Sequence, residues 1–483
     1  MITLNRAFFH ILQHTIVTFI KHTAIIFCTS VLLLSGCASY KTKHTDTANI
    51  DVPANWAVNE AVSNAHATSL TTWWMRFDDV LLTQLIQQAL QANTNVNSAK
   101  AALLEARALR DVAAATLSPT LGSSASAQRS KSGNNNAVNN FKVGLDANWE
   151  LDIFGANRSG LAASEATALA SASSLSNIQT SIAAEIALDY ITLRNAQARL
   201  AIANKNLASQ LETLEITQWR TQAGLVSSLD AEQAKTSAEQ TRASIPPLET
   251  SIAQMSHALA VLTGKSPATF LAQLAKDSPI PQAQNNLALN FPAETLRQRP
   301  DVSAAEYRIS AELARLEQAD AARLPNFSLG GSLGLNALTL GSLTSGSSVV
   351  SSLLANVAMP LFDAGSRRAK VRAQEAVLEQ TRFAYKATVL TALQEVEDAL
   401  VALRGDLERV SRLKLAVEAA GNAAIMANQS YQSGLADFQT VLETQRSLLN
   451  TQDSLSNASA DVSADHVRLY KALGGGWMPS NPS

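Results

Sequence analysis

Two stretches of the chain alternate between apolar and polar residues. From Phe141 to Asp152 every second side chain is apolar, and the positions between them hold polar residues or glycine. The stretch from Asn326 to Asn336 shows the same period. Because successive side chains of a β-strand point to opposite faces, each stretch predicts a strand with one apolar and one polar face.

Each of these strands has a predicted partner across a loop rich in Gly, Ser and Asn: Thr120–Gln128 before the first and Val349–Leu361 after the second. The length of about 9 to 12 residues and the alternation match membrane β-strands, although a soluble two-sided sheet would show the same alternation. Four strands are too few to close a membrane barrel, so we expect the chain to oligomerise. Three copies would supply twelve strands.

The tracts that follow the predicted strands change to a helical period. They lack proline and are rich in helix-forming residues, and Gly155 and Gly224 bound the first tract as Gly365 and Gly434 bound the second. Each tract predicts one helix about 100 Å long at 1.5 Å rise per residue. Gly224 and Gly434 are predicted C-caps after which a helical pattern resumes, so each half of the chain makes a long helical hairpin.

The two halves are an internal repeat. A shift of 210 residues superimposes Gly155 on Gly365 and Gly224 on Gly434. The same shift also aligns several residues between these glycines: Arg158 with Arg368, Glu185 with Glu395, Leu193 with Leu403, and Arg194 with Arg404. The fold is therefore expected to contain the same strand and hairpin unit twice.

The composition and the absence of catalytic motifs argue against several classes of function. Lys plus Arg number 38 and Asp plus Glu number 40, a net charge of −2, so there is no basic excess to neutralise nucleic-acid phosphates. The only cysteines are Cys28 and Cys37, which excludes a disulfide framework or a cysteine nucleophile in the body of the chain. The histidines form no HExxH pattern, and the TGKS phrase at 263–266 lacks the first glycine of a phosphate loop. We expect no enzyme activity, no metal and no cofactor.

The N-terminus predicts an export signal. Residues 1–36 contain basic but no acidic side chains, and the apolar run from Ala24 to Leu34 ends just before Cys37. The LLSGC sequence resembles a bacterial lipobox, which implies cleavage before Cys37, acylation of this residue and, with Ala38 and Ser39 following, transfer to the outer membrane. An uncleaved anchor helix is the alternative, although the apolar run is short for a membrane span.

Six short motifs, in order, resemble the TolC and OprM family of outer-membrane efflux proteins, in its NodT-like lipoprotein branch. They are WWMRFDDVLLTQLIQQALQAN at 73–93, WELDIFGANR at 149–158, IPPLE at 245–249, FPAETLRQRPDV at 291–302, PLFDAGSRRAKV at 360–371 and ALGGGW at 472–477. The resemblance implies a mainly α protein with a membrane β-barrel: a homotrimer with a shared 12-stranded barrel that continues into a long periplasmic α-helical barrel.

The resemblance also implies a function and partners. The family forms passive exit ducts for drugs or other small molecules, docked through a periplasmic membrane-fusion adaptor to an inner-membrane RND pump. An outer-membrane component of a type I protein secretion system is the closest alternative. A coiled-coil scaffold would explain the helices but not the two-faced strands.

Candidate functional residues fall into three groups. The polar strand faces are expected to line the barrel lumen: Lys142, Asp146, Asn148, Glu150, Ser328, Ser332 and Asn336. By resemblance, a periplasmic gate would involve Glu443, with Asp230, Asp437 and Arg220 as further candidates. The family's adaptor-docking region matches the hairpin tips: Ala223, Gly224, Leu225, Ser433, Gly434 and Leu435. Glu443 on a solvated outer helix face, and tips that serve only as helix caps, are the alternatives.

The expected domain organisation follows. A signal peptide at 1–36 and an extended lipoprotein segment at 37–70 precede the first repeat at 71–263, whose β-hairpin lies at about 120–152. A linker at 264–290 leads to the second repeat at 291–473, with its β-hairpin at about 326–361, and to a tail at 474–483.

Overall fold

The computed structural model describes residues 70–276, 278–283, 296 and 298–476. The predicted signal peptide, Cys37 and the lipoprotein segment up to residue 69 lie outside these residues, as do parts of the predicted linker and tail.

The described chain is built mainly from helices and one sheet. A 3-10 segment, Leu70–Phe77, precedes helices α1 (Val80–Ala92) and α2 (Thr94–Ala115) and strands β1 (Thr120–Ser130) and β2 (Val138–Leu151). Helices α3 (Ala156–Gln222), α4 (Ser228–Ala243), α5 (Ile245–Leu262) and α6 (Leu271–Leu274) follow. The second half contains α7 (Pro300–Ala321), β3 (Asn326–Ala337), β4 (Val349–Ala358), α8 (Ser366–Gln432) and α9 (Phe438–Ala472).

The two predicted long helices are confirmed as α3 and α8, each of 67 residues. Both start after a glycine with a left-handed φ of 83°, Gly155 and Gly365, a conformation that glycine adopts without steric cost. A nearby carboxylate accepts hydrogen bonds from the first free backbone N–H groups, Asp152 for α3 and Asp363 for α8. These acceptors satisfy donors that a helix start would otherwise leave unpaired.

One antiparallel sheet joins the two repeats. Its order is β1-β2-β3-β4, so β2 of the first repeat pairs directly with β3 of the second. Strands β1 and β4 each have a partner on one side, and their other edges are free in the described chain. The strand β4 ends at Ala358, earlier than the predicted Leu361, because Pro360 cannot donate to a ladder.

Helix α3 is the centre of the helical part and packs against α1, α2, α4, α5, α7 and α9. Its buried Arg194 donates to the Gln197 side chain and the Lys276 carbonyl at 2.7 Å each, and to the Tyr190 hydroxyl at 3.0 Å. Tyr190 in turn donates to Asp79. This network ties α3 to the chain before α1 and to the segment after α6.

The first and last described segments meet in an aromatic cluster. Trp73 is fully buried, and its ring centroid lies 5.6 Å from that of Tyr470. The backbone N–H of Gly476 donates to the Leu70 carbonyl at 3.0 Å. A Cβ atom at Gly475 would lie 2.9 Å from both the Leu70 and Tyr470 carbonyl oxygens, so only glycine fits at this contact.

Within the described residues, no helix has the length and apolar character needed to cross a bilayer. The same part of the chain contains no group of three or more His, Cys, Asp or Glu side chains suited to a metal ion.

Candidate pore-lining face and helical tips

The predicted lumen residues occupy one face of the sheet. Lys142 lies opposite Asn336, Asp146 opposite Ser332, and Glu150 opposite Ser328 in the β2–β3 register. Residues directly opposite each other in an antiparallel pair point to the same face, so six of the seven predicted residues form three polar rungs across the two repeats. Asn148, on the same face, lies opposite Gly330.

Hydrogen bonds extend this polar face to the outer strands. Ser124 of β1 donates to Asp146 Oδ2 at 2.9 Å, and the hydroxyls of Ser332 and Ser352 lie 2.7 Å apart. The polar face therefore spans all four strands at the level of Asp146, which the alternation of single strands did not reveal.

The opposite face is predominantly apolar. Leu145 lies opposite Leu333 and Val143 opposite Leu335. Leu145 and Leu333 are 47% and 57% exposed in the described chain, where burial would be expected for the core of a soluble sheet. An exposed apolar face beside a polar one is the pattern of a membrane strand.

The two hairpin tips have the same backbone geometry. After α3, the N–H of Leu225 donates to the Arg220 carbonyl and that of Gly224 to the Thr221 carbonyl. After α8, Leu435 and Gly434 repeat this pair of bonds with Ser430 and Tyr431. Gly224 and Gly434 each have a left-handed φ of 73°. Together with the two hydrogen bonds, this makes each turn a Schellman motif, with Ala223 and Ser433 as the C-caps.

The side chains that follow these glycines protrude from the tips. Leu225 is 70% exposed and Leu435 is 84% exposed. The predicted docking residues therefore serve as helix caps and also present one apolar side chain at each tip.

Two of the predicted gate carboxylates are used as helix caps. Asp230 and Ser227 form a reciprocal capping box at the start of α4. Asp437 caps α9 by accepting from the Thr440 backbone N–H at 2.9 Å and its hydroxyl at 2.6 Å. These two hydrogen bonds, the hydroxyl foremost, hold the pKa of Asp437 below its ordinary value.

The other two candidates differ in their surroundings. The Arg220 guanidinium lies 4.8 Å from the centroid of the Tyr431 ring, so a cation–π contact joins the first tip to the second. Tyr431 also packs against Phe438 in an apolar cluster below the tip. Glu443 is exposed and accepts a hydrogen bond from Gln439 at 3.1 Å. The sequence analysis missed Tyr431 and Phe438, although aromatic residues beside a tip glycine were a visible signal.

Polar contacts join α3 to α9 along the length between the sheet and the tips. Arg199 forms a bidentate ion pair with Asp453, at 2.5 and 3.0 Å. Four further side-chain contacts join the same helices: Asn195 with Ser456 and with Asn457, Asn206 with Gln452, and Thr213 with Gln445. The two hairpins therefore meet through a polar seam from the level of Asn195 towards the tips.

A two-faced sheet that continues into two long helical hairpins defines an outer-membrane channel. The chain belongs to the outer membrane efflux protein family, whose model matches residues 85–265 and 291–475. The two matched ranges cover most of the first predicted repeat and all of the second. The chain is accordingly a channel protein of the outer membrane and not an enzyme.

Individual relatives agree with this assignment. Nodulation protein T of Rhizobium leguminosarum bv. trifolii is 30% identical over 93% of this chain and 96% of its own. The solvent efflux pump outer membrane protein SrpC of Pseudomonas putida is 30% identical over 93% of this chain and 98% of its own. The solved structure of the outer-membrane channel OprN is similar with a TM-score of 0.83 and 32% identity, covering 90% of this chain and all of that one.

Proposed function

We propose that the protein is the trimeric exit duct of a tripartite RND-type efflux system and conducts small molecules passively to the exterior. The observation that carries this proposal is the set of three polar rungs on one face of the sheet. With β1 and β4 free to pair between copies, three sheets of four strands close into a twelve-stranded barrel whose polar face lines the lumen.

The hairpin tips support docking to a periplasmic adaptor. Leu225 and Leu435 are exposed at the ends of the hairpins, where a partner can cover them. Relatives named as outer-membrane proteins of solvent and toluene efflux pumps favour a pump partner over the alternative role in type I protein secretion. Acylation of Cys37 would add a lipid anchor to the attachment that the strands provide.

Glu443 is the proposed gate residue, because it is an exposed tip carboxylate that no helix cap uses. Three copies would form a ring of like charges, which attracts cations in a narrow passage. Arg220, through Tyr431, would hold the hairpins of one copy together in the closed state.

Single-channel recording in a planar bilayer tests the duct, together with the mass of the detergent-solubilised oligomer. We expect a trimer and discrete conductance steps that change when Asp146 is replaced by Asn. A monomer, or a trimer without conductance, would contradict the proposal. Deletion of the gene distinguishes the two transport roles: accumulation of small toxic compounds indicates efflux, and loss of an exported protein indicates secretion.

A further inference from the structure

A cluster of basic residues opens α8 directly after strand β4. Arg367, Arg368, Lys370 and Arg372 lie in the first two turns, and Asp363 is the only acidic residue from 359 to 374. Positive side chains at a helix start are repelled by the helix dipole. Helix stability therefore does not explain the position of this cluster.

These basic side chains make few polar contacts within the described chain. Arg367 donates to the Ala322 carbonyl and lies beside Asp363. Arg368, Lys370 and Arg372 are exposed. The charge of Arg368 acts on the Asp363 carboxylate and helps to lower its pKa. Lys370 and Arg372 have no side-chain hydrogen bond or ion pair within the described residues, so long cationic side chains can meet an external anion here.

Two apolar side chains adjoin the cations. Leu361 is 92% exposed and Phe362 is 90% exposed, at the turn that links β4 to α8. We call Leu361, Phe362, Arg368, Lys370 and Arg372 together the basic patch. Apolar and cationic groups side by side match the composition of segments that lie at a membrane surface.

The fold places the basic patch at a defined depth. Strand β4 belongs to the membrane sheet and ends at Ala358, whereas α8 runs away from it into the periplasmic part. Arg372 is six residues into α8, about 9 Å along its axis at 1.5 Å per residue. The headgroup layer of one leaflet is roughly 5 to 8 Å thick, so the patch lies at the headgroups that face the periplasm.

The first repeat provides an internal comparison. Arg158 aligns with Arg368, but the positions aligned with Arg367, Lys370 and Arg372 are Asn157, Gly160 and Ala162, so the first repeat keeps one of the four cations. A Cβ atom at Gly160 would lie 2.8 Å from the Gln318 side chain, which shows that the start of α3 is packed against α7. The start of α8 also contacts the end of α7, through Arg367 and the Ala322 carbonyl, but its Arg368, Lys370 and Arg372 are exposed.

We propose that the basic patch binds the phosphate groups of anionic phospholipids in the leaflet that faces the periplasm. Arg368 and Arg372 are four residues apart on the same side of α8, and their guanidinium groups donate charge-assisted hydrogen bonds to phosphate oxygens. Lys370 lies on another side of the helix and adds electrostatic attraction to the anionic surface. Leu361 and Phe362 enter the boundary with the acyl chains. The lipid so bound fixes the height of the sheet in the bilayer at the junction of strand and helix.

The test uses the full-length protein in its native assembly, reconstituted in vesicles of phosphatidylethanolamine with or without phosphatidylglycerol. After gentle detergent extraction, mass spectrometry of the retained lipids gives the enrichment of phosphatidylglycerol over phosphatidylethanolamine. The triple variant R368Q/K370Q/R372Q should lose this enrichment by about fivefold or more. High salt should weaken the enrichment of the unmodified protein, because the charges lie at an exposed surface.

A matched control removes the same charge from elsewhere on α8. Lys386, Arg404 and Lys414 are exposed and lie farther from the strand, so K386Q/R404Q/K414Q should retain the enrichment. Equal enrichment in both triple variants would overturn the proposal.

The apolar half of the patch is tested by Leu361→Ser combined with Phe362→Ser. We expect less total retained phospholipid from the same amount of assembled protein. If this variant instead assembles in lower yield while the lipid retained per assembled copy is unchanged, the surface lies between copies of the chain and the proposal is wrong.

Discussion

The long helices α3 and α8 have the same length and the same glycine at each end, but they are buried to different extents. Twenty residues of α3 are buried, compared with eight of α8. Local signals at the glycines determine where each helix begins and ends, whereas burial depends on which helices surround it. A duplicated sequence can thus keep its local geometry while its two copies occupy different environments.

The surroundings of α8 explain the difference. It packs mainly against α7 and α9, while six helices surround α3. Large apolar side chains on α8 consequently remain exposed in the described chain: Phe383, Leu390, Val401, Leu415, Ile425 and Met426. In the proposed trimer, this open side of α8 is available to a neighbouring copy.

The largest expected effect is a difference in stability between alanine substitutions of two aligned arginines, Arg194 and Arg404. Arg194→Ala removes the donor to Gln197, Tyr190 and the Lys276 carbonyl, and should destabilise the protein by about 3 to 5 kcal/mol because buried acceptors lose their partners. Arg404→Ala, at the aligned exposed position of α8, should change stability by less than about 0.5 kcal/mol. Thermal unfolding followed by circular dichroism in detergent measures both, and equal losses would contradict the comparison.

The membrane strands should behave alike in the two repeats. Leu145→Arg or Leu333→Arg places a charge on the apolar face and should cost about 2 to 4 kcal/mol near the bilayer midplane. Asp146→Arg or Ser332→Arg, on the polar face, should assemble normally and alter conductance. Trimer yield and single-channel recording are the measurements. A similar fall in trimer yield for both faces would exclude a membrane barrel.

The dependence of stability on pH should involve α9, which carries the buried Asp465, and not the aligned helix α5. The Asp465 side chain is 2% exposed, and burial raises its pKa to about 6, with a further contribution from the nearby Asp406 carboxyl. Its folded pKa exceeds the unfolded value, so the folded state binds the proton more tightly. The contribution of this group to stability is therefore largest at acid pH and is lost as the pH rises through about 6.

We expect ionisation of this group to remove about 2 kcal/mol of stability between about pH 4 and pH 8; its pKa of about 6 already includes the lowering by Arg468. Asp465→Asn should flatten the dependence of the melting temperature on pH over this range. The aligned residue in α5 is Met255, which cannot ionise, so Met255→Leu serves as a control that leaves the dependence unchanged. An unchanged slope for Asp465→Asn would contradict the assignment.

The smallest expected effect concerns the tips. Glu443 aligns with Gln233 of the first repeat, so Glu443→Gln makes the two tips alike at this position. The substitution should leave stability nearly unchanged but lower the preference for cations and weaken block by multivalent cations. Bilayer recordings at equal and unequal salt concentrations measure both. If selectivity and block match the unmodified channel, Glu443 lies on an outer helix face.

The parts of the fold that depend on local signals were predictable from the sequence. Proline-free tracts between paired glycines predicted α3 and α8, and the observed helices end within two residues of those glycines. Alternation predicted β2 and β3, and loops rich in Gly, Ser and Asn predicted β1 and β4 as their partners. Strand β1 continues to Ser130 and β2 starts at Val138, so their loop is shorter than expected. Strand ends depend on pairing across the hairpin, which polarity alone does not reveal.

The roles of individual side chains were harder to predict because they depend on distant contacts. Nothing near Arg194 in the sequence distinguishes it from Arg404, and only the packing of the segment after α6 makes it a buried donor. Asp230 and Asp437 are gate candidates in the sequence, but each also has the spacing of a helix cap. Asp230 lies three residues after Ser227, and Asp437 lies three residues before Thr440. The direct pairing of β2 with β3 was not foreseen.

The contact between Gly476 and Leu70 constrains the order of folding. A chain is synthesised and exported from its N-terminus, so Trp73 becomes available long before Tyr470 and the glycines that cover it. The aromatic cluster can close only after almost the whole chain has crossed the inner membrane. A prematurely terminated chain would leave Trp73 uncovered, and such an exposed apolar surface would make it a target for periplasmic proteases before it could enter a channel.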